Sequence, residues 1–219
     1  MKALLPIFGS KLKVMEILAL LEDAKPVVRQ GFYANELPNV IAFCEQHKLH
    51  ILTSAWKVAV ADHRAEFSNK GVRVPLSDPS NGMLFVYISK ESEKAAYAKL
   101  SEDQQNHYHL GLSLGYPECC CKFFIHYEPE RAQLDNNYEE PVLQNSPNDQ
   151  YPYLNNIFLR HNDLALISHF PCNLGCGPSQ QIAHKNQEIF TKYDPEGVQA
   201  VIAGLKGTHT IHSRVITFD

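Results

Sequence analysis

Five of the chain's six cysteines fall in two short stretches, "LGYPECCCKFF" at residues 114–124 and "SHFPCNLGCGPS" at residues 168–179. If the two act together, the fold must bring them into one place across the long segment between them. No other feature of the sequence limits the fold as much.

The first stretch reads as a helix start. Proline is favoured at the first helical position and Glu118 suits the positive end of a helix, so a helix beginning near Pro117 puts Cys119, Cys120 and Cys121 in its first turn. Free N–H groups and the helix dipole stabilise a thiolate there. Consecutive helical side chains point about 100° apart. Three sulfurs in a row therefore cannot meet one ion without distorting the helix; two neighbours can, and the third faces elsewhere. The second stretch repeats the arrangement, with Cys172 and Cys176 in a loop directly before a helix and Pro178 near its first turn. Gly175 and Gly177 are expected to supply unusual backbone angles that wrap the loop around an ion or cluster. His169, just before Cys172, is a further candidate ligand.

The spacings match no standard motif. Structural zinc sites pair cysteines a few residues apart on both sides, which only Cys172 and Cys176 approach. The Cys-x2-Cys of thioredoxin-type proteins is absent, as are the ferredoxin spacings. An iron–sulfur cluster tolerates irregular thiolate spacing because it offers several iron corners, and two helix N-termini would cradle its negative charge. It is the first expectation, with zinc second and thiol–disulfide chemistry through a transient Cys172–Cys176 bond third. Cys44 stands apart, on the apolar stripe of a predicted helix, and is expected in the core.

Composition narrows the function classes. The chain has 219 residues, 44% hydrophobic and 20% charged, enough for one full core. Its formal charge is -4 and no Lys/Arg-rich block occurs, so the electrostatic footprint of a nucleic-acid binder is missing. The opening "MKALLPIFGSKLK" breaks its apolar run at Pro6, unlike a signal peptide, and no window approaches the roughly 18 apolar residues of a membrane span. A cytoplasmic location is expected. In a reducing compartment clustered cysteines bind metal or do redox work.

Periodicity predicts a helix over 10–24, capped by Ser10, with Val14, Ile17, Leu18 and Leu21 on one face. A second is expected over 35–48, and a long third from Glu91 to about Leu112 with Ala95, Ala96, Tyr97 and Leu100 as its apolar face. "LHILTSAWKVAVAD", "GMLFVYISK", "LALISHFPC" and "THTIHSRVITF" read as strands, and a helix is expected from about Pro178 to Lys192. Residues 129–156 are rich in Asn, Gln and Pro and read as a polar, lid-like loop. The sum is a single α+β domain. Helices and strands fill an N-terminal lobe of about residues 1–100, and the cysteine-bearing helix starts lie in a lobe of about residues 101–219.

The histidines add less. His107 and His109 diverge on a helix, and His209 and His212 point to opposite faces of a strand. His126 and His184 follow the two cysteine clusters on their helices and can do acid–base chemistry near neutral pH. His161, with Arg160 and Asp163, is a candidate for holding an anion. No Ser–His–Asp set or phosphate-binding glycine loop is present.

"LGYPECC" and "HFPCNLGC", with the serine that follows, resemble an uncharacterised family of prokaryotic proteins, a domain of unknown function marked by Gly-Tyr-Pro-x-Cys-Cys and His-x-Pro-Cys-x3-Cys segments. The resemblance covers roughly residues 83–190. It places the motif on Gly115, Tyr116, Pro117, Cys119, Cys120, His169, Pro171, Cys172, Cys176 and Ser179, with Cys121 an addition to the pattern. It implies no reaction, only that the two clusters belong to one site.

The sequence thus leads to a metal- or cluster-dependent enzyme acting on a small molecule, with the zinc-stapled binding protein and the thiol-redox protein, which would need a redox partner, as alternatives. Cys119, Cys120, Cys172 and Cys176 are the expected ligands, with His169 beside them. Gly175, Gly177 and Ser179 would line the bound group, and Tyr116 or His126 would donate a proton.

Overall fold

The computed structural model describes residues 3–60, 71–131 and 137–219. Its helices and two sheets form the α+β arrangement expected. The chain opens with α1 (Leu5–Phe8) and α2 (Lys11–Leu21). Every residue of α2 from Val14 to Leu20 is buried, so it is the core's central helix rather than the one-faced surface helix its stripe suggested. Its N-terminus is finished from far away. Ser10 accepts from the Lys13 N–H, and the Asp163 carboxylate takes bonds from Ser10 Oγ (2.8 Å), Lys11 N (2.5 Å) and Leu12 N (3.0 Å).

β1 (Val28–Phe32), α3 (Leu37–Gln46), β2 (His50–Val60), β3 (Gly71–Pro75) and β4 (Gly82–Ser89) follow. The four strands make an antiparallel sheet in the order β1-β4-β2-β3. Register sets Arg29 opposite Tyr87 and Val58 opposite Arg73. Cys44 of α3 is fully buried, as expected, and burial pushes its thiol up to about 12.

The expected long third helix is two, α4 (Ser92–Asp103) and α5 (His107–Ser113). Gln105 between them is left-handed (φ 56°), and Asn106 caps α5 by accepting from His109 N. Asn serves a cap better than a helix interior, which is why the run breaks where no Gly or Pro marks it. The buried face of α4 is Ala95, Ala98 and Glu102, while Tyr97 and Leu100 are exposed.

α6 (Glu118–Arg131) starts where the proline predicted. Beyond it, the polar segment is not a lid in its described part, residues 137–156; residues 132–136 lie outside the described residues. It holds α7 (Glu139–Gln144), β5 (Gln150–Tyr151) and a 3-10 turn at Tyr153–Asn155, and buries Tyr138, Val142, Leu143, Tyr151 and Leu154 in the main core. Its polar residues are spaced among apolar ones that the composition masked. "LALISHFPC" is not a strand either. Ala165, Leu166 and Ile167 are buried, but among the described residues no strand pairs with them, and the Leu166 carbonyl is met by Asn186 Nδ2 at 2.7 Å.

α8 (Gly177–Tyr193) and α9 (Pro195–Leu205) lead to a hairpin, β6 (Gly207–Ile211) and β7 (Arg214–Phe218), in place of the single strand expected. His212 and Ser213 both have positive φ, the turn that a twisted two-residue hairpin needs, so His212 sits in the turn rather than a strand. β5 joins β7 in parallel to complete the second sheet. One core runs from Phe8 to Phe218, across both expected lobes. Among the described residues no helix is long and apolar enough to cross a membrane.

Candidate metal centre

The turn into α6 is built by α5 and Gly115. Gly115 is left-handed (φ 80°), and a Cβ there would meet Pro26 Cδ at 2.8 Å, so only glycine fits. The chain reverses through Tyr116 and Pro117, and Cys120 N and Cys121 N both bond to the Pro117 carbonyl, at 2.9 and 3.0 Å. Cys119, Cys120 and Cys121 thus stand in the first turn. Two of them face the second cluster. Cys121 turns away to Tyr116 O (3.8 Å) and against Gly111, where a Cβ would come within 2.7 Å of its sulfur. Burial, then the nearby Cys119 and Glu118, pushes the Cys121 thiol up to about 11, so it stays protonated.

The second cluster is held by the segment read as a lid. Asn155 Nδ2 donates to the carbonyls of Leu174 and Cys176, both at 3.0 Å; Asn145 Nδ2 donates to Cys172 O (3.2 Å); and Leu174 N donates to Ser146 Oγ (2.9 Å). Arg214 of the C-terminal hairpin in turn donates to the carbonyls of Leu143, Ser146 and Asn148. Gly175 and Gly177 do not act as expected: neither has positive φ, and Gly177 is already the first residue of α8. The loop closes through amide side chains.

Together these elements bring Cys119 Sγ to 3.7 Å from Cys176 Sγ and 3.9 Å from Cys120 Sγ, with Cys120 Sγ 3.7 Å from Cys176 Sγ. Cys172 completes the group, and all four sulfurs lie within 4.8 Å of one another. Such a group can hold a metal ion. The thiols share protons. Hydrogen bonds from Cys120 and then Cys172 hold Cys176 far below the usual thiol range, making it the first thiolate. Cys120 is raised, chiefly by its bond with Cys172. In Cys172 the lowering effect of Cys120 is outweighed by donation to Cys176 and burial, which push it up to about 12.

The structure does not bring His169 into the sulfur group. Its Nε2 lies 2.8 Å from Ser179 Oγ, which is 3.3 Å from Cys120 Sγ. Burial, then the charge of Lys25, pushes His169 down to about 3, so it is neutral near pH 7. The Tyr116 and His169 rings pack tilted with centroids 4.9 Å apart, and Lys25 Nζ lies 4.6 Å from the centroid of the Tyr116 ring. His126 is exposed on α6, packs edge-on to Tyr127 and is not among the residues that line the cavity described next. His184 is exposed too. Of the "RHND" group, Asp163 is spent on α2, His161 faces Glu139, and Arg160 lines the cavity described next.

A cavity of about 420 Å³ opens beside Cys120 and Cys121. Leu110, Leu114, Phe124 and Phe170 supply its apolar wall, and Tyr116 and His169 the side toward the thiols. Opposite stands a group the sequence reading missed. Arg29 donates to Glu102 from Nε and Nη2, both at 2.5 Å; Arg73 Nη2 donates at 3.0 Å; and Tyr87 OH donates at 2.7 Å. The Glu102 carboxylate is 1% exposed. Burial alone would raise its pKa, but the bond from Arg29 and the other cations hold it below 4.5. One signal was available: Glu102 continues the Ala95–Ala98 spacing, a carboxylate on a core-facing stripe.

In comparison with known proteins, the chain matches no family model, no curated protein and no solved structure.

Proposed function

We propose that the chain is a metal-stapled binding protein, in which Cys119, Cys120, Cys172 and Cys176 hold a single tetrahedral ion, zinc, and the adjoining cavity receives a small molecule. The spacing of the sulfurs supports this reading. A tetrahedron with metal–sulfur bonds of about 2.3 Å has edges of about 3.8 Å; the three separations among Cys119, Cys120 and Cys176, 3.7 to 3.9 Å, fall on that value, and Cys172 Sγ lies within 4.8 Å of each. A multi-iron cluster hands its thiolates to different irons and spreads them wider. For that reason zinc is placed ahead of the iron–sulfur centre that irregular spacing suggested. Four thiolates also close the coordination shell, the pattern of structural rather than catalytic zinc. On this reading the metal fastens the cysteine loop to α6, and the chemistry of recognition belongs to the cavity.

The hydrogen bonds around Cys120 fit the same reading. A metal-bound thiolate only accepts, so Ser179 Oγ donates to Cys120 and must accept from His169 Nε2–H. His169 and Ser179 are then supports of a ligand.

Metal and acid-labile sulfide content, with a visible spectrum, tests the proposal on protein purified without an affinity metal column. One zinc per chain and no colour are expected. Iron with sulfide and a brown colour would overturn it in favour of a cluster. No metal, with a reversible loss of two thiols on mild oxidation, would overturn it in favour of redox chemistry.

A further inference from the structure

We propose that the cavity beside Cys120 recognises a small carboxylate with an aromatic or apolar body, held by the guanidinium groups of Arg29 and Arg73. This names the ligand class for the binding reading above and rests on it.

Charge comes first. Of the charged side chains that line the cavity, Arg29, Arg73 and Arg160 are cationic, and Glu16 and Glu102 anionic. Lys25 bridges Glu16 at 3.1 Å, and Glu139 acts on Arg160, so those charges are answered. Glu128 lies behind His107, at 2.9 Å, and does not line the cavity. Arg29 and Arg73 share the one carboxylate of Glu102. Among the described residues that line the cavity, that wall therefore keeps one positive charge more than it neutralises, beside a cavity large enough for a ligand.

Geometry comes second. Each guanidinium is held by a ring, Arg29 Cζ at 3.7 Å over Phe85 and Arg73 Cζ at 4.0 Å over Trp56. Arg29 spends Nε and Nη2 on Glu102, and its Nη1 makes no hydrogen bond to a described residue. Arg73 spends Nη1 and Nη2 on the Glu102 backbone and carboxylate, and 34% of its side chain stays exposed. Planar N–H donors fixed in place and incompletely used suit a planar carboxylate. Leu110, Leu114 and Phe124, which also line the cavity, offer apolar surface for the rest of the ligand, while Phe170 lines it beneath the Arg160 guanidinium. A cationic ligand would meet the wrong sign.

Trp56, the chain's single tryptophan, lies under Arg73 and reports on this wall. The experiment titrates benzoate, phenylacetate, phenyl phosphate and the neutral isostere benzamide into the metal-loaded protein, reading Trp56 fluorescence and calorimetric heat. Benzoate or phenylacetate is expected to bind at least tenfold more tightly than benzamide. Arg73→Gln is expected to remove that preference, and Arg73→Lys to restore part of it. If Arg73→Gln does not fold, Arg29→Lys, which keeps the charge but breaks the fork, is expected to weaken the carboxylates and leave benzamide unchanged. Binding of phenyl phosphate alone, equal binding of benzoate and benzamide, or no binding of either carboxylate overturns the proposal. Metal content measured on the same sample separates the two readings. One zinc with no carboxylate binding sinks only this inference, and carboxylate binding without zinc sinks only the staple.

Discussion

The two halves of the molecule satisfy their backbone polar groups in different ways. In the first, β1, β4, β2 and β3 pair in an antiparallel ladder, where each bond is repeated by its neighbours. In the second, the chain between α6 and α8 crosses the core as irregular segments, and single amide side chains meet its carbonyls. Asn155 serves Leu174 and Cys176 and Asn186 serves Leu166, while Asn156 of the same stretch serves Leu205 at the end of α9. A ladder tolerates the loss of one bond; a set of isolated amides holds only while each is held in place. On the reading proposed above, a metal tie across Cys119, Cys120, Cys172 and Cys176 would sit where the second half has least repetition to rely on. The first half has a tie of its own, the ion network on Glu102.

Cys176→Ser should have the largest effect. Loss of the ion is expected to lower stability by about 3–5 kcal/mol, roughly 10 °C or more in Tm for a chain of this size. Amide exchange should rise across 145–176 and stay slow in β1, β4 and β2. Equal loss in both halves would break the comparison. Next comes Glu102→Ala, which leaves Arg29 and Arg73 without their carboxylate. Breaking a fully buried pair costs about 3–5 kcal/mol, and about 2–3 is expected here because both arginines remain partly exposed. Denaturant unfolding should show the loss with the metal content intact. Its pH dependence has a definite sign. The Glu102 pKa in the folded protein lies below the ordinary 4.5, so its contribution is complete above 4.5 and disappears as pH falls through the folded value. Wild type and Glu102→Ala should therefore converge in denaturant melts below pH 4.5.

Asn155→Ala removes two bonds to buried carbonyls and is expected to cost about 1–2 kcal/mol. It should loosen the cysteine loop and speed metal transfer to a chelator, which a colorimetric zinc dye would follow. The smallest effect belongs to Cys121→Ala, expected at about 1 kcal/mol or less with zinc content unchanged. Cys120→Ala, its neighbour, should lose the ion. If both variants kept the metal, the division of labour between adjacent thiols would be wrong.

What the sequence disclosed follows from how local each cause is. The start of α6 at Pro117–Glu118, the cap at Ser10 and the burial of Cys44 depend on a few neighbouring residues and were readable. That one of the three adjacent cysteines must face away was readable too, since it needs only helical geometry; that it is Cys121 was suggested only by the resemblance. The supposed lid was not. Tyr138, Leu143 and Tyr151 are separated by polar residues whose partners lie elsewhere in the chain, so composition pointed to solvent while the side chains pointed inward. "LALISHFPC" has the residues of a strand, but strand formation needs a neighbour, and none of the described strands pairs with it. The guanidinium wall depends on pairing Arg29 with Tyr87 and Val58 with Arg73, a register no local pattern states.

The carboxylate that caps α2 lies 153 residues beyond Ser10. On the ribosome the central helix of the core, already capped by Ser10, therefore emerges long before Asp163 joins that cap. At roughly 5–20 residues per second, the wait is on the order of 10–30 s, during which an apolar helix buried on nearly all sides in the finished protein has neither that carboxylate nor α8 to cover it. The nascent chain is then most exposed to misassociation along this helix, and Cys172 and Cys176 arrive only after the carboxylate has been made.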